Sequence, residues 1–372
     1  MARSLEFGLL MTSPARTLPD FSAPPFSTAS PAQFLPAPAD GVLPEGFFST
    51  SNLPTYVLVR GGWHAPIRPR MDCVIVDRGD RLETVEPRHV RQGDLVAMGM
   101  AEDGREGIVV HTQGFLASAT GANEFRFMAT EVSRERPANY EDLASRLEQE
   151  RRAGGYVIWV AGPALVHSRA RADFEWFIRQ GYVQAFLAGN AVAVHDVEAA
   201  MFGTTLGMSG TGEATEGGHG LHMRAINRVR AAGSIEQAVA SGLVTNGIMH
   251  ALVTNRVPYV LAGSIRDDGP LPGVLTDVLE AQDAMREHAV RATGAVFIAT
   301  ALHSIAVGNM LPAFHTHRGP APEPLMTICV DQTEFIVTKL RDRGTHQAYG
   351  VVTNAQDFLH VLRFYVERCR QA

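Results

Sequence analysis

From Gly155 onward the chain carries six short apolar runs: Tyr156–Ala161, Val183–Ala188, Pro258–Gly263, Ala295–Thr300, Met326–Asp331 and Tyr349–Thr353. Most are continuous rather than alternating, the mark of strands buried on both faces, as in a parallel sheet covered by helices. Between them the period changes. Leu221, Ala225, Ile226 and Val229 recur at helical spacing, as do Val278, Ala281, Met285 and Ala289. Each set predicts an amphipathic helix whose apolar stripe is core. Strand, loop and helix in repeated alternation predict a doubly wound α/β sheet.

The pattern before Gly155 differs. Tyr56–Val59, Asp72–Val76 and Asp94–Ala97 are short strand candidates, separated by turns such as Arg60-Gly61-Gly62 and Arg78-Gly79-Asp80. They predict a small β-rich unit. Tyr140–Arg152 is polar and helix-favouring and leads into the sheet. Residues up to about Leu43 hold, within them or at their edge, Pro14, Pro19, Pro24, Pro25, Pro31, Pro36, Pro38 and Pro44, which reads as an extended arm. The expected division is an arm over 1–43, a β-rich subdomain over 44–140 and an α/β domain over 141–372.

Length and charge narrow the class. A chain of 372 residues exceeds one small core. A formal net charge of −6 speaks against a general nucleic-acid binder, which would show a basic patch or stripe. No uninterrupted apolar run is long enough to predict a membrane span, and Met1–Met11 lacks a leader-like cleavage site, so a cytoplasmic protein is expected. Cys73, Cys329 and Cys369 are odd in number and widely spaced; neither a disulfide framework nor a metal site is predicted. Of 33 lysines and arginines, Lys339 is the one lysine. Lysine can act as a base or a compact ammonium where arginine cannot. Its survival near a helix end is equally compatible with a favourable dipole contact.

In doubly wound sheets ligands collect at the carboxyl ends of the strands. Small residues follow several of the runs: Gly162 and Pro163, then Asn190 and Ala191 after Gly189, then Gly263 and Ser264, then Thr300 with Gly308, Asn309 and Met310 further on. Such residues let backbone amides approach a phosphate, and a helix start favours the anion. Each glycine can equally serve a tight turn. Neither GxGxxG nor a Walker A sequence is present. Asp331, ending a strand, suits a ribose hydroxyl. Arg266, Asp267 and Asp268 put both charge signs in one loop, as charge-assisted recognition of an amino acid requires. Asp277 could anchor an ammonium or cap a helix. His195 with Asp196, and His303, are acid–base candidates, although a lone histidine is often structural.

Longer stretches carry a resemblance. Pro44-Glu-Gly-Phe-Phe-Ser-Thr-Ser-Asn52, Gly162-Pro-Ala-Leu-Val-His167, Leu187-Ala-Gly-Asn-Ala-Val-Ala-Val-His-Asp196, Leu261-Ala-Gly-Ser-Ile-Arg-Asp-Asp-Gly-Pro-Leu-Pro272, Leu302-His-Ser-Ile-Ala-Val-Gly-Asn-Met-Leu-Pro312 and Val337-Thr-Lys-Leu340 resemble the archaeal-type ornithine cyclodeaminases. That family shares a region with the lysine-oxoglutarate reductase/saccharopine dehydrogenase family and with the C-terminal half of arginine dihydrolase/ornithine cyclodeaminase fusions. The likeness runs from about Asp40 to Phe358. It implies a Rossmann-like NAD-binding domain similar to deoxyhypusine synthase, a homo-oligomer, and a small amino-acid substrate. The implied reaction is redox-neutral: NAD takes a hydride from Cα of ornithine, the δ-amine attacks the imine, ammonia leaves, and the hydride returns to give proline. Lys339 or Asp277 would then move protons, with His303 a further candidate. Arg266 would hold the carboxylate, Asp267 or Asp268 the distal ammonium, and Asn52 would join the substrate group. Departures from the family pattern fall at Gln332-Thr-Glu334, at Asn354, and in Phe314–Pro324, which resembles an insertion. The other functions compatible with the same pocket are a net amino-acid dehydrogenase and a non-catalytic NAD-binding regulator.

Overall fold

The computed structural model describes residues 18–112, 138–209, 212–265, 267, 269–319, 321–343 and 348–371. The chain forms two units, one of 1–134 with 316–324 and the other of 135–315 with 325–372.

The first unit is built from short antiparallel strands: β1 (Phe34–Pro36), β2 (Thr55–Val59), β3 (Gly62–His64), β4 (Val74–Asp77), β5 (Leu82–Val85), β6 (Leu95–Ala97) and β7 (Ile108–Val110). They make one sheet of order β1-β6-β4-β5 and another of order β3-β2-β7. Val74 and Val76 of β4 pack with Val85, Val90 and Val96, while Ile75 between them packs with Phe48, Val57 and Ile108. Both faces of β4 are covered, so its sequence shows no polar alternation. Pro36 is tolerated because β1 is an edge strand.

In the second unit the six apolar runs become six strands: β8 (Val157–Ala161), β9 (Ala185–Gly189), β10 (Tyr259–Ala262), β11 (Gly294–Ile298), β12 (Met326–Asp331) and β13 (Ala348–Val352). All neighbours are parallel, in the order β10-β9-β8-β11-β12-β13. The helices are α1 (Tyr140–Arg152), α2 (Ala164–His167), α3 (Arg171–Arg179), α4 (Asn190–Phe202), α5 (Leu221–Ala232), α6 (Ile235–Ala240), α7 (Ile248–Thr254), α8 (Val278–Ala289), α9 (Leu302–Met310), α10 (Glu334–Arg343) and α11 (Ala355–Gln371). Along β8, Val157, Trp159 and Ala161 join a core with Phe174, Phe177 and Phe358, whereas Ile158 and Val160 join one with Met285, Val307 and Met310. Two cores, one on each face, are what make the strand apolar throughout. The α5 and α8 stripes are buried at Ala225, Ile226 and Val229 and at Ala281, Met285 and Ala289, but Val278, at the first turn of α8, is exposed. Among the described residues no helix is long and apolar enough to cross a membrane.

Candidate functional site

The strand order reverses between β8 and β11, and in sheets of this topology the crevice beyond those two strand ends is the ligand site. The backbone there is tightly determined. The Gly162 amide donates to the Ile298 carbonyl at 3.0 Å. A Cβ on Gly162 would lie 2.0 Å from the Ala299 carbonyl oxygen and 2.8 Å from Cβ of Thr300, so only glycine fits. Ala299 adopts φ +58, in the left-handed region unusual for a residue with a side chain. Gly162, Pro163, Ala299 and Thr300 are therefore brought together at the reversal.

Two helices begin beside it. Gly189 precedes α4 and Ala301 precedes α9; neither helix has a capping side chain or an acidic residue in its first turn. By contrast, Asn139 caps α1, Ser234 caps α6 and Asp277 caps α8. Uncapped first-turn amides suit an anion such as a pyrophosphate. His303, in the first turn of α9, reaches from the end of β11 past β8 to the end of β9. Its Cε1 lies 2.7 Å from where a Cβ on Gly189 would be. Burial pushes the pKa of His303 below that of an ordinary imidazole, so the ring is neutral near pH 7.

The loop after β10 is tied to the same edge. Asp267 accepts from the Ser264 amide at 2.6 Å and from Nδ2 of Asn190 at 3.2 Å, while Oδ1 of Asn190 accepts from the Leu271 amide at 3.1 Å. Gly263 donates to the Leu275 carbonyl at 2.7 Å. Asn190, at 4% exposure, is thus a brace between α4 and this loop; Ala191 follows it in the first turn of α4. Arg266 and Asp268 lie outside the described residues. Asn52 belongs to the first unit, where it is partly buried.

Other expected residues are placed differently. Gly308, Asn309 and Met310 form the last turn of α9 rather than a strand-end loop, and Met310 is in the core. The apolar run before them continues as helix because nothing in it breaks the helical spacing. Asp277 accepts from the amides of Leu279 and Glu280 at 2.8 and 3.0 Å, bonds that lower its pKa and make it the cap of α8. Asp196 is fully buried and accepts from Arg171 Nε and from the amides of Ile248 and Met249, which start α7. It braces α4, α3 and α7. Asp331 ends β12 and accepts from the Thr333 amide and hydroxyl, both at 3.0 Å and both on Oδ1. Lys339 lies within α10, its ammonium 4.3 Å from the centroid of the Phe335 ring. His195 has an unforeseen partner: Nδ1 stands 3.3 Å from Glu198 Oε2. The i,i+3 spacing of His195 and Glu198 on one helix was the available signal.

An α/β sheet with a strand-order switch point, two uncapped helix starts beside it and a polar loop defines a Rossmann-like dinucleotide-binding class. The family of the arginine dihydrolase ArgZ-like C-terminal Rossmann fold matches residues 141–362, and its first-region counterpart matches 54–141. The ornithine cyclodeaminase of Methanopyrus kandleri is 45% identical over 340 residues, covering 90% of this chain and 78% of that one. A conserved LOR/SDH protein from Methanococcus maripaludis superposes with a TM-score of 0.83 at 40% identity, over 92% of this chain and 99% of that one. AgrE, a bifunctional arginine dihydrolase/ornithine cyclodeaminase from Nostoc, has been crystallised with ornithine and NAD+. That complex superposes with a TM-score of 0.59 at 34% identity, over 98% of this chain and 48% of AgrE. The chain belongs to the ArgZ-like C-terminal family, whose archaeal members are named ornithine cyclodeaminases.

Proposed function

We propose that the chain is an NAD-dependent ornithine cyclodeaminase, converting L-ornithine or a related diamino acid to L-proline or a cyclic imino acid with release of ammonia. The observation that carries the reading is the 45% identity to an ornithine cyclodeaminase over nearly the whole chain. The site fits a dinucleotide on its own terms: the Gly162–Thr300 approach and the uncapped starts of α4 and α9 suit a pyrophosphate, and Asp331 suits a ribose. When bound, NAD supplies the acceptor and later the donor of a hydride.

The protein's own work is orientation and proton movement. Asp267 is held by Asn190 and the Ser264 amide, so its carboxylate stands fixed in a loop that also carries Arg266. Such a pair of charges matches an amino acid's ammonium and carboxylate. An amine must lose a proton before it attacks, and ammonia must gain one before it leaves. The neutral imidazole of His303 is a base able to take the first proton and, once protonated, an acid able to give the second. Asp277, engaged as a helix cap, and Lys339, on the flank of α10, are given no catalytic part. Incubation with L-ornithine and catalytic NAD should yield proline and ammonia in equal amounts without lasting NADH. Lasting NADH would instead define a net dehydrogenase, and NAD binding without turnover of any diamino acid a regulator.

A further inference from the structure

The polar loop after β10 has a second tether, from a helix that plays no part in the roles given above. Arg230 sits in the last turn of α5, beside Val229, which is buried in the core. A cation there is favoured by the helix dipole, yet the guanidinium is aimed across to the loop. Its Nε and Nη2 both donate to the Pro270 carbonyl oxygen, at 3.2 and 2.9 Å. Gly269 lets it come this close. That residue has φ +107, in the region that favours glycine, and a Cβ on it would stand 3.2 Å from Nη2 of Arg230. Beyond the tether the chain is stiff, because Pro270 and Pro272 each lock φ. Between them the Leu271 side chain is buried and its amide donates to Oδ1 of Asn190 at 3.1 Å. Asp267, earlier in the loop, accepts from Nδ2 of the same Asn190 at 3.2 Å.

We infer that Arg230 is a positioning residue for the amino-acid substrate: with Asn190 it pins the loop that carries Asp267, and so sets where that carboxylate stands. The inference rests on the proposed cyclodeaminase reading, in which Asp267 meets the substrate's ammonium. The two tethers come from different helices and grip different groups. Asn190, on α4, holds the Asp267 carboxylate and the Leu271 amide, while Arg230, on α5, holds the Pro270 carbonyl between them. A loop held from one side can pivot, whereas two holds from separate helices fix both its height and its tilt. The stiff Pro270–Pro272 run passes the restraint to the Leu271 amide and Asn190, and through Asn190 to Asp267. Lysine would keep the charge at Arg230 but not the planar pair of donors that meets a single oxygen.

Hydrogen exchange and steady-state kinetics test this on Arg230→Ala, a change at an exposed side chain that leaves the core intact. The Leu271 and Ser264 amides bond to Asn190 and Asp267, not to Arg230, so their exchange reports the loop rather than the lost contact. Both should exchange about threefold to tenfold faster, in keeping with one charge-assisted bond at an exposed site. KM for ornithine should rise by a similar factor, kcat should fall less than KM rises, and the dissociation constant for NAD should keep its wild-type value. Gly269→Ala, which crowds the guanidinium, should shift exchange and KM the same way. Wild-type exchange at Leu271 and Ser264 in Arg230→Ala would overturn the inference. Faster exchange with an unchanged KM would overturn it too, since the loop would then be pinned without bearing on the substrate. Equal weakening of ornithine and NAD would mean a general loosening of the unit and count against it in the same way. Should the wild-type protein fail to turn over ornithine, the cyclodeaminase reading fails by itself, while the exchange of the Leu271 and Ser264 amides still decides whether Arg230 holds the loop.

Discussion

At the scale of single residues, the contact between His303 and Gly189 decides most. A methyl group on Gly189 would stand 2.7 Å from Cε1 of His303, too close without a shift of the ring. Gly189→Ala should therefore keep the fold while displacing the imidazole, and a displacement of about 1 Å in a reacting group costs on the order of 10²-fold in rate. His303→Gln should lower kcat by about 10²-fold or more. Circular dichroism beside steady-state kinetics checks both; wild-type rates in both variants would remove His303 from the chemistry. Acid stability follows from the same burial. His167, His288 and His303 all have pKa values pushed below the ordinary imidazole by burial. An unfolded histidine titrates near about 6.5. Below that pH the unfolded chain binds protons that the folded one refuses, so stability falls with pH until the folded pKa is passed and is flat above. Melting temperature should decline from about pH 6.5 downward, and His303→Gln should decline less. An equal slope in the variant would mean that the ring is solvated.

At the scale of elements, a side chain that caps a helix start shows a structural use, as Asp277 does at α8. Asp277→Asn keeps an acceptor for the Leu279 and Glu280 amides, and asparagine caps about as well as aspartate. Its kcat should stay within about twofold of wild type, a small change in keeping with a preserved cap; loss of turnover in a folded variant would restore Asp277 to the proton chemistry. Asn190 acts between elements. Replacing it by alanine removes acceptor and donor at once, leaving the Leu271 amide unsatisfied, at a cost of about 1–3 kcal/mol. Denaturant unfolding should register that loss. KM for the amino acid should rise more than kcat falls, because the freed loop is the one carrying Asp267. The six parallel strands were legible because burial on both faces leaves an unbroken apolar run. Less legible were the ends. Phe34–Pro36 reads as a proline-rich arm yet pairs with Leu95–Ala97, since an edge strand can accept proline and local composition carries no word of a partner about sixty residues away. The last turn of α9 was missed for a similar reason: a glycine inside an apolar helix looks the same in sequence as one that opens a loop.

At the scale of the molecule, the candidate site draws on residues from at least five segments: Gly162, Gly189 and Asn190, Asp267, Thr300 with His303, and Asp331. Sequence marked each as a strand-end residue, but their convergence depends on a strand order that periodicity does not encode. His195 and Asp196 show the limit from the other side. Adjacent in sequence, they have separate partners, one facing Glu198 and the other starting α7. A ligand that bridges the reversal should couple these segments in a way the unliganded chain does not. NAD at about 100 times its dissociation constant should stabilise the sheet unit by about 2.7 kcal/mol, which is a hundredfold slowing of globally exchanging amides. Hydrogen exchange should show that slowing throughout β8 to β12. The largest local gains should fall at the first turns of α4 and α9 and in the segment after β10, because those amides gain direct partners. Protection confined to the β12 end would place only an adenosine half on the molecule. Protection at α4 and α9 without the segment after β10 would separate cofactor binding from the substrate loop and require another anchor for the amino acid.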